Sequence, residues 1–405
     1  MTHSVQSLLL APHMKQEERP APIALFLPTM DDGGAEHVML RLGAAFVARG
    51  HRVDLVVAIP GGPIESKIPA TLRVVDLAAR RTVAALPALV RYLRRERPAS
   101  LLSTLEHSNV LAVCAGWLSR TGTRIVLREA NVLLPRDHMR GLKPHLLRTL
   151  MRIFYRGSGH VIAVSKGVEE SLVTGLGLPS RLVRTIYNPI VGPDIARLAA
   201  APLDDPWFAP GEPPVVLGVG RLVPQKDFVS LLRAFALVRA DRPVRLVILG
   251  EGSERAALEA LGLELGITQD LRLLGFEQNP FRYMSRSPVF VLSSVFEGLP
   301  GALIQAMACG CRVVGTDAPG GTGEILQRCE RSHGRLVPMR DPGALADAIT
   351  GMLDESARGP SRVRHDVERF TEQASVDQYL EVLEARAAVP ARSSALERPN
   401  TGVRA

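Results

Sequence analysis

Aromatic side chains are scarce, at 4% of 405 residues. With so few rings there is no stacking platform for nucleic acid, even though the chain carries a net charge of +8. Cysteine is scarce too. Cys114, Cys309, Cys311 and Cys329 are too few and too irregularly spaced for a disulfide framework, and one residue between Cys309 and Cys311 is poor zinc spacing. They read as core thiols in a reducing compartment. No apolar run reaches the ~18 residues of a membrane span. The early SLLLAP stretch has no preceding basic region, so it is not read as a signal peptide. Asp-x-Asp does not occur. Gly-x-Gly-x-x-Gly after a strand is also missing, because GVGRLV and GEGSER each lack the third glycine, which excludes a dinucleotide-dependent dehydrogenase.

Core material is plentiful. Hydrophobic residues make up 46% of the chain and charged residues 22%, which argues against wholesale disorder. At roughly 100–200 residues per domain, two domains are expected. The charge is uneven. Residues 21–192 carry 23 Lys and Arg against 12 Asp and Glu, a net of +11, whereas residues 193–405 carry 24 against 27, a net of −3. An anionic partner is therefore expected at the front half.

Short apolar runs alternate with helix-like segments. IALFLP (23–28), VDLVVAIP (53–60), SLLST (100–104), RIVLRE (124–129) and HVIAVS (160–165) read as buried strands. VMLRLGAAFVARG (38–50) and HLLRTLMRIFYRG (145–157) read as helices that stop at glycine. A stretch rich in proline and glycine at 191–214 reads as a linker. Alternation then restarts with VVLGVG (215–220), RLVILG (245–250), LRLLG (271–275), VFVLSS (289–294) and RVVGTD (312–317). The reading is α/β: two Rossmann-like parallel-sheet domains, 21–190 and 215–370, facing each other across a cleft. Ligands of such sheets sit at the carboxyl ends of the strands, so the cleft is the expected site. Residues 371–388 read as a last helix that packs back on the first domain. Residues 1–20 and 389–405 read as flexible ends.

Three strand-to-helix junctions carry chemistry. DDGGAE (31–36) offers Gly33 and Gly34, whose backbone N–H groups can approach an anion at a helix start. GVGRLVPQKDF (218–228) places Arg221 and Lys226 just after Gly220, and two cations at a strand end suit a diphosphate. SVFEGLPGALIQ (294–305) puts Glu297 at a strand end facing the cleft. The turn Gly298-Leu299-Pro300-Gly301 then opens a helix whose free N–H groups can receive phosphate.

Arg-x4-Lys followed by Glu-x7-Gln, with a Gly-Gly loop upstream, resembles the pattern of retaining glycosyltransferases of family 4, which have the GT-B fold. The resemblance runs from GGAEHVMLRL to RFTEQASVDQYLEVL and includes LGEGSERAALEAL, LGFEQNP and GTDAPGGTGEIL. It implies catalytic roles for Glu297, Arg221 and Lys226, with Glu297 on the donor sugar's hydroxyls and the two cations on the leaving diphosphate. It places Gly33, Gly34, Gly220, Gly250, Phe276, Gly298, Leu299, Gly301, Ala302 and Gln305 on the donor. The chain departs from the family twice. Gln305 stands where a Glu usually binds the ribose; it keeps a carbonyl acceptor but loses the charge-assisted bond. Ala130, in REAN, stands where a His usually touches the sugar, leaving that role vacant or to Arg128, Glu129 or Asn131. His107, Glu129, Asn131, Arg140 and Lys143 are the candidates for the acceptor or sugar side.

The activity implied is transfer from a nucleoside-diphosphate sugar, UDP- rather than GDP-linked, to a glycan or lipid-linked saccharide in cell-surface polysaccharide or exopolysaccharide synthesis. No metal or other cofactor is expected, and the place expected is the cytoplasm, at the inner face of the plasma membrane. A sugar-nucleotide epimerase of the same fold and a catalytically impaired nucleotide-binding scaffold are the alternatives. Within residues 135–157, Leu146, Leu147, Leu150, Ile153 and Phe154 recur at helical spacing, and Arg136, Arg140, Lys143, Arg148, Arg152 and Arg156 outnumber the one acid, Asp137. The reading is an apolar face against the sheet and a basic face toward anionic lipid.

Overall fold

The computed structural model describes residues 20–31, 33–133, 142–359 and 363–385. Asp32, Arg140 and both expected flexible ends, apart from Pro20, lie outside the described residues.

The first sheet has seven strands: β1 (Ile23–Leu27), β2 (Val53–Val57), β3 (Arg73–Asp76), β4 (Ser100–Thr104), β5 (Arg124–Glu129), β6 (His160–Ala163) and β7 (Val183–Thr185). Their order is β3-β2-β1-β4-β5-β6-β7, parallel throughout. The second sheet has six: β8 (Val215–Val219), β9 (Arg245–Leu249), β10 (Leu271–Gly275), β11 (Val289–Leu292), β12 (Arg312–Thr316) and β13 (Gly334–Val337). Their order is β10-β9-β8-β11-β12-β13, again parallel. Each sheet reverses its winding direction beside its first strand, at β1/β4 and at β8/β11. That leaves a crevice at the carboxyl ends of those strands.

Central strands are buried on both faces. β1 is accordingly an unbroken apolar run, while Asp54 inside β2 is buried as an acceptor for Tyr92 Oη at 2.8 Å and Arg73 Nη2 at 3.0 Å. Leu25 pairs in register with both Leu55 and Leu102. The strands that the sequence reading passes over, β3, β7 and β13, are all sheet edges. They span only three or four residues, and β3 is largely exposed.

The chain crosses between domains twice, and the crossings are tied together. Ile190 N and Val191 N both donate to the Phe370 carbonyl at 2.9 Å, and Val191 bridges Thr371. The 191–214 segment is pinned to the second domain: Arg286 Nη2 donates to the Ala201 carbonyl at 3.0 Å and Ser285 Oγ to that of Ala199 at 2.8 Å. The final helix, Glu372–Glu384, lies on the first domain. Val376, Tyr379, Leu380 and Leu383 are buried in one cluster with Leu25, Phe46 and Leu102, and Arg124 Nε donates to the Val382 carbonyl at 2.8 Å.

Candidate active site

The loops after β8 and β11 are laced together at the strand ends. Val295 N donates to the Gln225 carbonyl at 2.9 Å, Gln225 Nε2 to the Phe296 carbonyl at 2.9 Å, and Ser293 Oγ to the Lys226 carbonyl at 2.7 Å. Asp227 takes a left-handed conformation, with φ 45° and ψ 48°. Its carboxylate accepts from Ser230 Oγ at 2.7 Å and caps the Phe228–Asp241 helix. That sharp reversal sends Lys226 toward Glu297: Nζ donates to Oε1 at 2.5 Å, and Ser294 Oγ donates to the same oxygen at 2.6 Å. Glu297 is only 6% exposed. Its Oε2 takes no hydrogen bond among the described residues. Arg221 is exposed, and its guanidinium has no hydrogen-bond or ion-pair partner among the described residues.

Glu297 is fixed by close backbone packing. Its N–H donates to the Pro319 carbonyl at 3.0 Å, and Gly321 N donates to that of Gly298 at 2.9 Å. A Cβ on Gly320 would lie 1.8 Å from the Glu297 carbonyl oxygen, so only glycine fits there. The helix Gly301–Cys309 follows, and among the described residues no side chain caps its start. Leu299 is buried, Ala302 half-buried, and Gln305 half-buried one turn in. Gly220 and Gly250 serve backbone packing: Gly250 N donates to the Gly275 carbonyl at 2.7 Å, and a Gly250 Cβ would lie 1.9 Å from the Gly220 carbonyl oxygen. Phe276 stands out from this turn, 68% exposed.

The first domain meets this platform at two places, just after β5 and just after β6. A Cβ on Gly298 would sit 1.7 Å from the Ala130 carbonyl oxygen, and one on Gly167 would sit 2.5 Å from that of Gly320. Glu324 Oε2 accepts from Lys166 N at 3.0 Å. Burial raises the Glu324 carboxyl above its ordinary value, with that hydrogen bond and nearby cations opposing. Ala130 thus meets the second domain through its backbone carbonyl.

Other first-domain candidates sit differently from expectation. Gly33 is the N-cap of the Gly34–Ala48 helix, but the Glu36 carboxylate folds back against it: a Gly33 Cβ would lie 2.4 Å from Glu36 Oε2. The Gly33–Gly34 turn therefore already holds an anion of its own. Burial raises the Glu36 carboxyl above the usual range. Glu129 and Arg128 do not face the cleft. Glu129 is 1% exposed, and its Oε1 accepts from Tyr155 Oη at 2.5 Å and Asn109 Nδ2 at 2.6 Å. Desolvation, with help from Glu106, pushes its pKa up to about 8. Arg128 is equally buried; its guanidinium donates to Thr104 Oγ1 and Asn188 Oδ1, both at 2.8 Å. Of the three residues considered for the missing His, only Asn131 is exposed.

His107 is exposed in the first turn of the Glu106–Ser119 helix, and Lys143 is exposed on the Leu142–Phe154 helix. The face expected to be apolar on that second helix splits. Met151 is buried and Leu147 and Phe154 half-buried, while Leu142, Leu146 and Ile153 are exposed at 88%, 61% and 55%. Arg148 and Arg156 are drawn to the carbonyls of Gly175 (3.1 Å) and Gly177 (2.9 Å), leaving fewer cations outward than expected.

Sequence reading passes over Glu106. It lines a cavity of ≈ 240 Å³ between the first domain and Phe296, the residue before Glu297. The signal available was the pair Glu106-His107 at a strand end, where attention went to the imidazole.

The comparisons agree with this architecture. A family model described as "Glycosyltransferase Family 4" matches residues 32–191, and one described as "Glycosyl transferases group 1" matches 213–355. An N-acetylgalactosamine-N,N'-diacetylbacillosaminyl-diphospho-undecaprenol 4-alpha-N-acetylgalactosaminyltransferase of Campylobacter jejuni is 31% identical over 254 residues, covering 62% of this chain and 66% of that protein. The lipopolysaccharide core biosynthesis glycosyltransferase LpsE of Rhizobium meliloti is 30% identical over 237 residues, 58% of this chain and 66% of that protein. The matched regions thus span just under two thirds of these relatives' lengths. Among solved structures, Anabaena HepE in complex with UDP superposes with a TM-score of 0.72 at 19% identity, covering 89% of this chain and 99% of that one. With both sheets matched by family models and both switch points framing the Glu297 site, the chain belongs to glycosyltransferase family 4 and has the GT-B fold.

Proposed function

We propose that the protein transfers a sugar from a UDP-sugar to a saccharide carried on a lipid diphosphate, in the synthesis of a cell-surface polysaccharide. Configuration at the anomeric carbon is retained, and no metal is needed. In this step the bond from the anomeric carbon to the β-phosphate oxygen breaks. The acceptor oxygen bonds to that carbon on the same face, and its proton passes to the departing phosphate oxygen. The products are UDP and the extended glycan.

One observation carries the reading: exposed Arg221 and Lys226 lie in the connection after β8, Lys226 pairs with Glu297 in the loop after β11, and the Gly301–Cys309 helix, without a side-chain cap, starts just beyond that loop. Cations and oriented N–H groups stabilise a leaving diphosphate electrostatically, at about 3–4 kcal/mol for each well-placed donor. Glu297 Oε2 is left to hold a donor hydroxyl. The name of one relative, a diphospho-undecaprenol-linked saccharide 4-alpha-N-acetylgalactosaminyltransferase, supports the acceptor class, and that of another, a glycosyltransferase of lipopolysaccharide core biosynthesis, supports the cell-surface product. The HepE complex, which holds UDP, supports the choice of nucleotide.

No helix among the described residues is long and apolar enough to cross a membrane. Contact with an anionic bilayer is assigned to Leu142, Leu146 and Ile153 together with Lys143 and Arg152, an exposed mix of apolar and basic groups suited to the interface. The site of action is then the inner face of the plasma membrane. The test is UDP release from a panel of UDP- and GDP-sugars, with and without a lipid-linked saccharide, in EDTA. Acceptor-stimulated release from one UDP-sugar is expected; release only from GDP-sugars, or none at all, overturns the donor assignment. Wild type should co-sediment with anionic vesicles, and Leu142→Ser with Leu146→Ser should not. Equal sedimentation of the two removes the membrane contact.

A further inference from the structure

Four features converge on the cavity between the Leu142–Phe154 helix and Phe296. Its lining is mostly apolar: Leu133, Leu147 and Met151 from the first domain and Phe296 from the second are among its walls. Its polar groups are Glu106, the exposed Asn131 and Arg148, whose Nη2 donates to the Gly175 carbonyl at 3.1 Å. The Glu106 carboxylate makes no hydrogen bond or ion pair with any described residue, and desolvation raises its pKa above the usual range, with His107 opposing. The residue before it, Leu105, is held at φ 73° and ψ 137°, a left-handed conformation that a leucine adopts only at a cost. That strained turn fixes where Glu106 starts. Finally, Phe296 precedes Glu297 in the chain, so the cavity's second-domain wall belongs to the same loop that carries Glu297.

The volume, ≈ 240 Å³, equals that of about eight liquid waters. It is enough for one sugar ring and too little for a longer stretch of glycan. A sugar bearing only hydroxyls would leave polar groups against Leu147, Met151 and Phe296, at the cost of unpaired burial. A methyl-bearing substituent would fill the same walls favourably.

Resting on the glycosyltransferase reading, we propose that this cavity selects an acceptor sugar with a methyl-bearing substituent, N-acetyl or 6-deoxy, and that Glu106 binds the hydroxyl to be glycosylated. Glu106 accepts that hydroxyl's hydrogen bond and aims its oxygen at the anomeric carbon. Asn131 is placed to pair with an amide or neighbouring hydroxyl, and the apolar walls take the methyl.

The test separates binding from turnover. Saturation-transfer NMR on the full chain with saturating UDP uses methyl glycosides of glucose, galactose, N-acetylglucosamine, N-acetylgalactosamine and 6-deoxygalactose. The acetamido or deoxy glycosides should bind, with their substituent methyl signals most strongly saturated, and the plain hexosides at least tenfold more weakly. Glu106→Gln should weaken binding about tenfold with UDP affinity within twofold of wild type, and Glu106→Asp should recover part of it. Leu147→Phe, which fills the cavity, should remove the methyl preference. Plain hexosides binding as tightly as the others, Glu106→Gln binding like wild type, or no glycoside binding at all overturns the proposal. Absence of turnover with any nucleotide sugar, while glycosides still bind with this selectivity, would instead overturn the transferase reading.

Discussion

The two domains share a fold but differ in how they present groups to the cleft. In the second domain, the residues that matter are held by backbone packing. Gly220, Gly250, Gly298 and Gly320 let chains approach so closely that a Cβ has no room at the last three, and Lys226 and Glu297 are left pointing at one another. In the first domain, charged groups near the strand ends are mostly committed elsewhere. Arg128 and Glu129 are sealed into hydrogen-bond networks, Glu36 fills the Gly33 turn, and Arg148 and Arg156 serve carbonyls of a neighbouring segment. A rigid, preorganised platform suits a chemical task that does not vary, the neutralising of a diphosphate. A mostly apolar cavity lined also by Glu106, Asn131 and Arg148 suits a task that varies with substrate.

The largest effects should come from breaking the platform. Arg221→Ala and Lys226→Ala are each expected to lower kcat by about 10²–10³, read by UDP release. They should differ in stability. Arg221 is exposed, so its loss should leave Tm within a few degrees. Loss of Lys226 strands a buried Glu297 and should lower Tm clearly. Equal Tm values would mean the ion pair is not formed in solution.

Breaking the seam between domains comes next. Gly298→Ala puts a methyl against the Ala130 carbonyl, so the first domain must move away. Misplacement on the order of 1 Å can cost about 10² in rate. Transfer should fall by that order while UDP affinity changes little, and small-angle scattering should show a wider particle. Unchanged transfer would place the working geometry elsewhere.

A smaller change sharpens the platform itself. Gln305→Glu should lower the donor KM by a few-fold through a charge-assisted bond to the ribose, with kcat near wild type. A collapse of kcat would show that the neutral side chain is required.

The smallest effect on rate should come from the first domain's interior. Glu129 has a pKa of about 8 in the folded chain against an ordinary value near 4.3 when unfolded. Between these values the native state holds the extra proton. Its contribution to stability is therefore full at low pH and is lost as pH rises toward about 8. Glu129→Gln should flatten the decline of Tm between pH 5 and 8, with turnover at neutral pH close to wild type. An unchanged Tm slope would mean Glu129 is ionised at neutral pH.

The fold class and the two-sheet layout are legible in the chain alone, as are the two second-domain loops whose Lys226 and Glu297 meet. Buried parallel strands are mostly apolar, with buried charges such as Asp54 held by partners, and a turn where backbones touch must be glycine. Edge strands β3, β7 and β13 escaped because a short, half-solvated strand imposes no pattern. Which carboxylates of the first domain face the cleft was settled by packing between distant segments. Glu129 and Glu106 both lie at strand ends, and nothing local distinguishes them. Glu129 is sealed by Tyr155 and Asn109, which stand 26 and 20 residues away in the chain, whereas Glu106 is left without a partner among the described residues. Nor could local pattern show that the outward cations of the Leu142–Phe154 helix are partly spent on carbonyls at Gly175 and Gly177. Burial and partnership of a charge depend on what folds against it, and those neighbours come from elsewhere in the chain.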